Sequence, residues 1–247
     1  MLLTYNYFSL ENPLASCSFA ALMRQFIRHC FKSLADPILN WQYSRYARVD
    51  RTCRFMGLTI LVKSGVFHPV FFFSTKALAK YLSTLSLKGK KVLELGCGTG
   101  AISVWAAKNG ALATASDIHP IAVNNAQENA HLNGVKIQSV VSDLFENLND
   151  EMIDLIVINP PYYPQKPTNL AENAWYCGEE FEYFKGLFSQ LAPRPNSEEV
   201  FMVLSEDCQV NKIKEIAHKN QLELRLVHTE KSILEWSYIF KAERKPL

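Results

Sequence analysis

Apolar residues recur at three- and four-residue spacing early in the chain, at Phe19, Leu22, Met23, Phe26, Ile27, Cys30, Phe31 and Leu34. A stripe of that period predicts an amphipathic helix over about 16–34, closed by Asp36-Pro37. Residues 58–62 read as a strand, Ser64-Gly65 as a turn and Val66-Phe67 as a short return, and Ser74 then caps a helix to about 83. Beyond Lys88-Gly89 the pattern becomes a regular alternation. Strands are expected over 92–95, 112–116, 137–141, 153–158, 200–204 and 222–227, with helices over 101–108, 120–132, 181–190 and 209–219. Such alternation builds a parallel sheet with helices on both faces. A last strand, 236–241, follows its predecessor after only a short turn, which predicts an antiparallel strand at the edge or inserted as a hairpin. The expected fold is therefore α/β and Rossmann-like: a doubly wound, mostly parallel seven-stranded sheet with an antiparallel last strand and a small helical N-terminal extension. The expected division is 1–56 for the basic helical extension and 57–247 for the nucleotide-binding body.

Composition changes this picture little. With 48% apolar and 20% charged residues, the 247-residue chain reads as a soluble globular protein able to bury a large core. No apolar stretch approaches the roughly 20 residues that span a bilayer, so no membrane partner is expected. The six cysteines show neither Cys-x-x-Cys spacing nor matching histidines; no metal is expected, and reduced thiols fit a cytoplasmic location. Charge is more informative. The net formal charge is only +2, yet residues 19–54 hold seven Arg or Lys against Asp36 and Asp50. A basic segment on a slightly acidic body suits steering toward RNA or an acidic protein, or is simply a solvated helix face.

Candidate chemistry gathers at strand ends. Gly96-Cys97-Gly98-Thr99-Gly100 follows the first body strand, where glycines let the backbone turn tightly and approach a ligand. The spacing Gly96-x-Gly98-x-x-Ala101 also fits a dinucleotide fingerprint. Asp117, with Ile118, ends the second strand where a carboxylate can accept from ribose hydroxyls, and Asp143-Leu144 follows the third, where an adenine amino group can be met. Glu94 suits a cationic ligand better than a pyrophosphate. After the fourth strand comes Asn159-Pro160-Pro161-Tyr162, a rim that can hold a planar –NH2 group. Asn159 Oδ1 and the Pro160 carbonyl can accept its two N–H bonds, Pro160 and Pro161 stiffen the turn, and Tyr162 can stack on the target plane. Tyr163, Lys166 and Trp175 are expected to frame the acceptor.

The run from Val92 to Gly100 resembles the first motif of class I S-adenosylmethionine-dependent methyltransferases. Together with Asn159-Pro160-Pro161-Tyr162, the NPPY motif, it resembles their amino-methylating small-domain branch, which includes protein-glutamine N5- and RNA or DNA adenine-N6-methyltransferases. The resemblance covers about 57–227. It implies S-adenosylmethionine as cofactor, bound by Glu94, Gly96, Cys97, Gly98, Gly100, Asp117, Ile118, Asp143, Leu144 and Asn159. The stretch from Ser64 to Pro69 resembles the one that precedes this motif in glutamine-methylating members, which adds Phe73 and Thr75 near the cofactor. The implied partner is RNA, DNA or a protein bearing glutamine. Glutamine-methylating relatives carry a longer N-terminal helical domain than the short segment here, whereas RNA-adenine relatives tolerate small caps. Two readings of other classes stay open, an NAD-dependent oxidoreductase and a non-catalytic RNA-binding module. The first needs a Tyr-x-x-x-Lys or a histidine beside the nicotinamide, and the second predicts RNA binding indifferent to cofactor.

Overall fold

The computed structural model describes residues 48–69, 73–148, 152–195, 198–232 and 235–244. The helix expected over 16–34 lies outside the described residues; of the helical extension expected over 1–56 only 48–56 is described, and it carries a strand instead of a helix. Every element below belongs to one compact unit, Ala47–Leu247.

The described chain begins with an antiparallel hairpin, β1 (Arg51–Phe55) and β2 (Leu58–Val62), closed by the two-residue turn Met56-Gly57. Both turn residues have positive φ, 48° and 85°, the geometry that matches strand twist in two-residue hairpins. The expected return strand at Val66-Phe67 is not formed. β2 takes its partner from the preceding segment, and Val66 N–H instead closes a turn onto the Lys63 carbonyl at 3.0 Å. Helix α1 (Phe73–Leu82) follows.

The body then alternates through β3 (Lys91–Leu95), α2 (Ala101–Lys108), β4 (Leu112–Asp117), α3 (Pro120–Leu132), β5 (Gln138–Val141) and β6 (Leu155–Ile158). A 3₁₀ segment (Leu170–Ala174), α4 (Glu182–Leu191), β7 (Glu199–Ser205), α5 (Val210–Lys219), β8 (Leu222–Lys231) and β9 (Trp236–Arg244) complete it. The seven-stranded sheet runs β5-β4-β3-β6-β7-β9-β8. The strands from β5 to β7 pair in parallel, while β9 is antiparallel to both β7 and β8. The last strand is thus an insertion and β8 is the edge.

Period-two alternation sorts the strand residues onto two cores. Val92, Leu155, Val157, Phe201 and Val203 face α1, α2 and the hairpin. Leu93, Leu95, Ile156, Ile158, Met202 and Leu204 face α4 and α5. Burial on both faces explains why these strands read as unbroken apolar runs.

Helix α3 carries an amide ladder. Asn125, Asn129 and Asn133 stand four residues apart on one face, a rise of about 6 Å, while alternate residues of a strand rise about 6.6 Å. The two repeats match. Asn133 Oδ1 accepts from Thr59 N–H (3.1 Å), Asn129 Oδ1 from Leu61 N–H (2.7 Å) and Asn125 Oδ1 from Lys63 N–H (3.1 Å). Their Nδ2 groups donate back to the carbonyls of Thr59 and Leu61. Three side chains thereby take the place of a neighbouring strand along the outer edge of β2, which would otherwise present unpaired backbone groups.

Candidate active site

Strand order reverses beside β3, with β4 on one side and β6 on the other, and an open α/β sheet binds ligands in the crevice beyond strand ends at such a point. A cavity of about 420 Å³ lies there. The turn after β3 forms its floor. Gly96 and Cys97 N–H donate to the Ser116 carbonyl at 2.8 and 2.9 Å, and Gly98 N–H donates to Asp117 Oδ2 at 2.8 Å. Asp117 Oδ1 accepts from His119 N–H at 2.9 Å. The burial around Asp117 raises its carboxyl above the usual range, against the pull of these N–H donors.

Glu94 sits beneath the turn, 6% exposed, with Oε2 accepting from Ser103 N–H (2.7 Å) and Ser103 Oγ–H (2.6 Å). Burial pushes its carboxyl up to about 7; the Ser103 donors oppose that, and Asp117 adds to it. The unfolded chain releases this proton near 4.5. The folded state therefore holds the proton more tightly, and stability falls as pH rises from about 4.5 to 7. The expected decline is on the order of 3 kcal/mol, and Glu94→Gln is expected to remove it. Urea midpoints across that window test this; equal slopes in wild type and variant would rule Glu94 out as the titrating group.

The opposite wall begins where β6 ends. Asn159 Nδ2 donates to Thr75 Oγ1 at 3.1 Å, which leaves Oδ1 as an acceptor at the cavity. Pro160 and Pro161 are buried, and Tyr162 packs on Tyr163 with ring centroids 4.8 Å apart. Tyr162 and Tyr163 N–H both donate to the Trp175 carbonyl, at 3.2 and 3.0 Å, and Cys177 N–H returns to the Tyr163 carbonyl at 2.9 Å. Burial raises both phenols well above their ordinary value, so they stand as neutral rings. Phe67, from the segment after the hairpin, packs on Trp175 at 5.0 Å.

Most expected site residues meet here. Thr75, Glu94, Gly96, Cys97, Gly98, Asp117, Ile118, Asp143, Leu144, Asn159, Pro160, Pro161, Tyr162, Tyr163 and Trp175 all line the cavity. Phe73, Gly100 and Lys166 do not. Phe73 is turned to solvent, Lys166 is exposed on its loop, and Gly100 faces Ala126 of α3. Sequence reasoning missed the wall from α4, where Tyr183, Gly186 and Gln190 line the cavity. Their spacing of three, then four, is a helical face and was the available signal. Gln190 Oε1 accepts from Phe145 N–H at 3.1 Å and so holds the loop carrying Asp143 and Leu144.

Residues 57–174 match the family model of the methyltransferase small domain. Over those residues, a little under half of its length, the chain is similar to methyltransferase small domains. Over 81 residues it is 51% identical to a protein of Methanocaldococcus jannaschii named as a protein N5-glutamine methyltransferase, a match covering 32% of this chain and 41% of that one. Over 113 residues it is 34% identical to ribosomal RNA small subunit methyltransferase C of Chromohalobacter salexigens, covering 44% of this chain and 34% of that one. The chain thus spans less than half the length of these curated relatives. In structure the chain resembles a T. thermophilus 16S rRNA N2 methyltransferase solved with AdoMet and guanosine. That likeness has TM-score 0.56 and 22% identity, covers 79% of this chain and 50% of that one, and is one of fold. Among the described residues, no helix is long and apolar enough to cross a membrane.

Proposed function

We propose that this chain is an S-adenosylmethionine-dependent N-methyltransferase whose acceptor is a planar amino or amide nitrogen. One observation carries the reading: Asn159, tied to Thr75 through Nδ2, keeps Oδ1 at the cavity, across the strand switch from the glycine turn. When bound, S-adenosylmethionine supplies a methyl group already activated by its sulfonium. The donor set suits it. Asp117 offers a carboxylate for the ribose hydroxyls, the glycine turn leaves its backbone open, and the cavity walls from Leu144 and Tyr183 fit a flat apolar base.

The remaining work falls to the acceptor rim. An amide or aryl amine is a weak nucleophile because its lone pair is delocalised. Asn159 Oδ1 and the Pro160 carbonyl accept its two N–H bonds, and these strengthen as the nitrogen gains positive character. The acceptors therefore favour the transition state over the ground state. The Tyr162 and Tyr163 rings and the Phe67–Trp175 pair supply flat walls for the acceptor plane. Once methylated, the nitrogen sheds a proton, for which no buried base is needed at neutral pH.

Likeness to the M. jannaschii protein supports a glutamine amide in a protein, and likeness to the ribosomal RNA enzyme supports a nucleobase. Incubation of a cell extract with the chain and methyl-labelled S-adenosylmethionine, followed by RNase or protease, separates them. Label freed by protease alone identifies protein glutamine; label freed by RNase identifies a base. Calorimetric titration that detects NAD but not S-adenosylmethionine would sink the methyltransferase reading in favour of an oxidoreductase. RNA binding that is indifferent to cofactor, with no label anywhere, would leave a binding module.

A further inference from the structure

The amide ladder does more than close a strand edge. Its middle member, Asn129, is fully buried and reaches two structures at once. Oδ1 accepts from Leu61 N–H at 2.7 Å, while Nδ2 donates to the Leu61 carbonyl at 2.7 Å and to the Thr99 carbonyl at 2.9 Å. Thr99 is the residue between Gly98 and Gly100. In a continuous helix its carbonyl would receive the N–H of Ser103, four residues on. Here that N–H goes to Glu94 Oε2. One side chain takes the donor and another takes the acceptor of a single helical hydrogen bond, so α2 is stopped at Ala101 and the preceding residues stay in an open turn.

The ladder also fixes what lies over the turn. Two residues beyond Leu61, Asn125 holds Lys63 N–H, and the chain then runs through Gly65, Val66 and Phe67, which line the cavity. A Cβ placed on Gly98 would stand 3.7 Å from Phe67 Cβ, so this roof rests directly on the turn. Roof and floor of the cofactor end are thus registered against each other through two neighbouring buried carboxamides, of which Asn129 reaches the turn.

We propose that Asn129 is a positioning residue for S-adenosylmethionine, setting the shape of the glycine turn and the height of its roof without touching the ligand. This rests on the methyltransferase reading above. Asn133 supplies the matched control. It carries the same side chain, and its Nδ2 donates to the Thr59 carbonyl and the Asn129 carbonyl, but it lies at the far end of the hairpin and does not reach the turn.

The test measures S-adenosylmethionine binding by calorimetry on the full chain, together with steady-state kcat and KM for the cofactor. Asn129→Asp keeps the shape and removes the Nδ2 donors. It is expected to weaken cofactor binding about tenfold, the size of the lost hydrogen bond to the Thr99 carbonyl, with kcat at saturating cofactor nearly unchanged. Asn133→Asp is expected to bind like wild type. Equal weakening in both variants would mean a general loss of packing, and unchanged binding in Asn129→Asp would mean the turn holds itself; either overturns the proposal. Should Asn129→Asp fail to fold, Asn129→Ser, which buries no charge, reads the same constant. Absence of binding by wild type would instead strike the methyltransferase reading itself, and the proposal with it.

Discussion

Replacing Asn159 by alanine is expected to lower methyl transfer by about 10²–10³-fold while S-adenosylmethionine binds within a few-fold of wild type. The change deletes one of the two acceptors that the rim offers to the target N–H groups. That acceptor matters most when the nitrogen is becoming positive, so the loss falls on kcat rather than on cofactor affinity. Thr75→Val gives an intermediate case. It keeps the carboxamide but removes its 3.1 Å partner, so the group can rotate and present the wrong atom. Its expected cost is about tenfold, the worth of one hydrogen bond that orients rather than contacts. Single-turnover rates with labelled cofactor, alongside calorimetric binding, separate the two effects. Transfer by Asn159→Ala within a factor of ten of wild type would move the chemistry elsewhere in the cavity.

Gly100→Ala is expected to destabilise the fold by about 2–5 kcal/mol. Gly100 has φ of 70°, and a Cβ there would lie 2.4 Å from Ala126 Cβ and 2.8 Å from Ala126 Cα. The strained backbone accounts for about 1–2 kcal/mol and the collision for the remainder. For a body of this size the midpoint of thermal unfolding should drop on the order of 10 °C. Gly134→Ala isolates the backbone share. Its φ is 66°, but a Cβ there meets nothing within 4 Å, so about 1 kcal/mol is expected. Similar midpoints for the two variants would show that the α3 contact yields without cost.

Gly100 also shows where reading the sequence reached its limit. The glycine turn is legible from residue types, and so is its place after a strand. That one of its three glycines packs against helix α3 and does not line the cavity is decided by Ala126, a residue with no signal of its own. Helices α2 and α3 match their expected bounds because apolar spacing and terminal residues agree there. Strand β1 was hidden by Arg51 and Arg54, whose charges read as part of a basic segment, and by a Met-Gly turn where Asn-Gly is the usual signal. The amide ladder was hidden for a different reason. Asparagine at four-residue spacing reads as a solvated helix face, yet Asn125 and Asn129 are fully buried because a strand edge supplies the partners that water would. The face of α4 that lines the cavity was passed over because tyrosine, glycine and glutamine share no chemistry, only a helical spacing.

The position of β9 constrains how the chain can be made. β7 is apolar and buried along nearly its whole length, and the strand covering its outer edge, from Val200 opposite Ala242 to Ser205 opposite Ser237, is the last one of the described chain. During synthesis the glycine turn, the Asn159 rim and five parallel strands emerge while that edge still stands open to any other strand in reach. β8 cannot cover it alone, since it joins the sheet only through β9. The sheet therefore closes as one late step, when the β8–β9 hairpin docks after Arg244 has left the ribosome. Until then a nascent chain with its cofactor turn already made is also the species most exposed to aggregation.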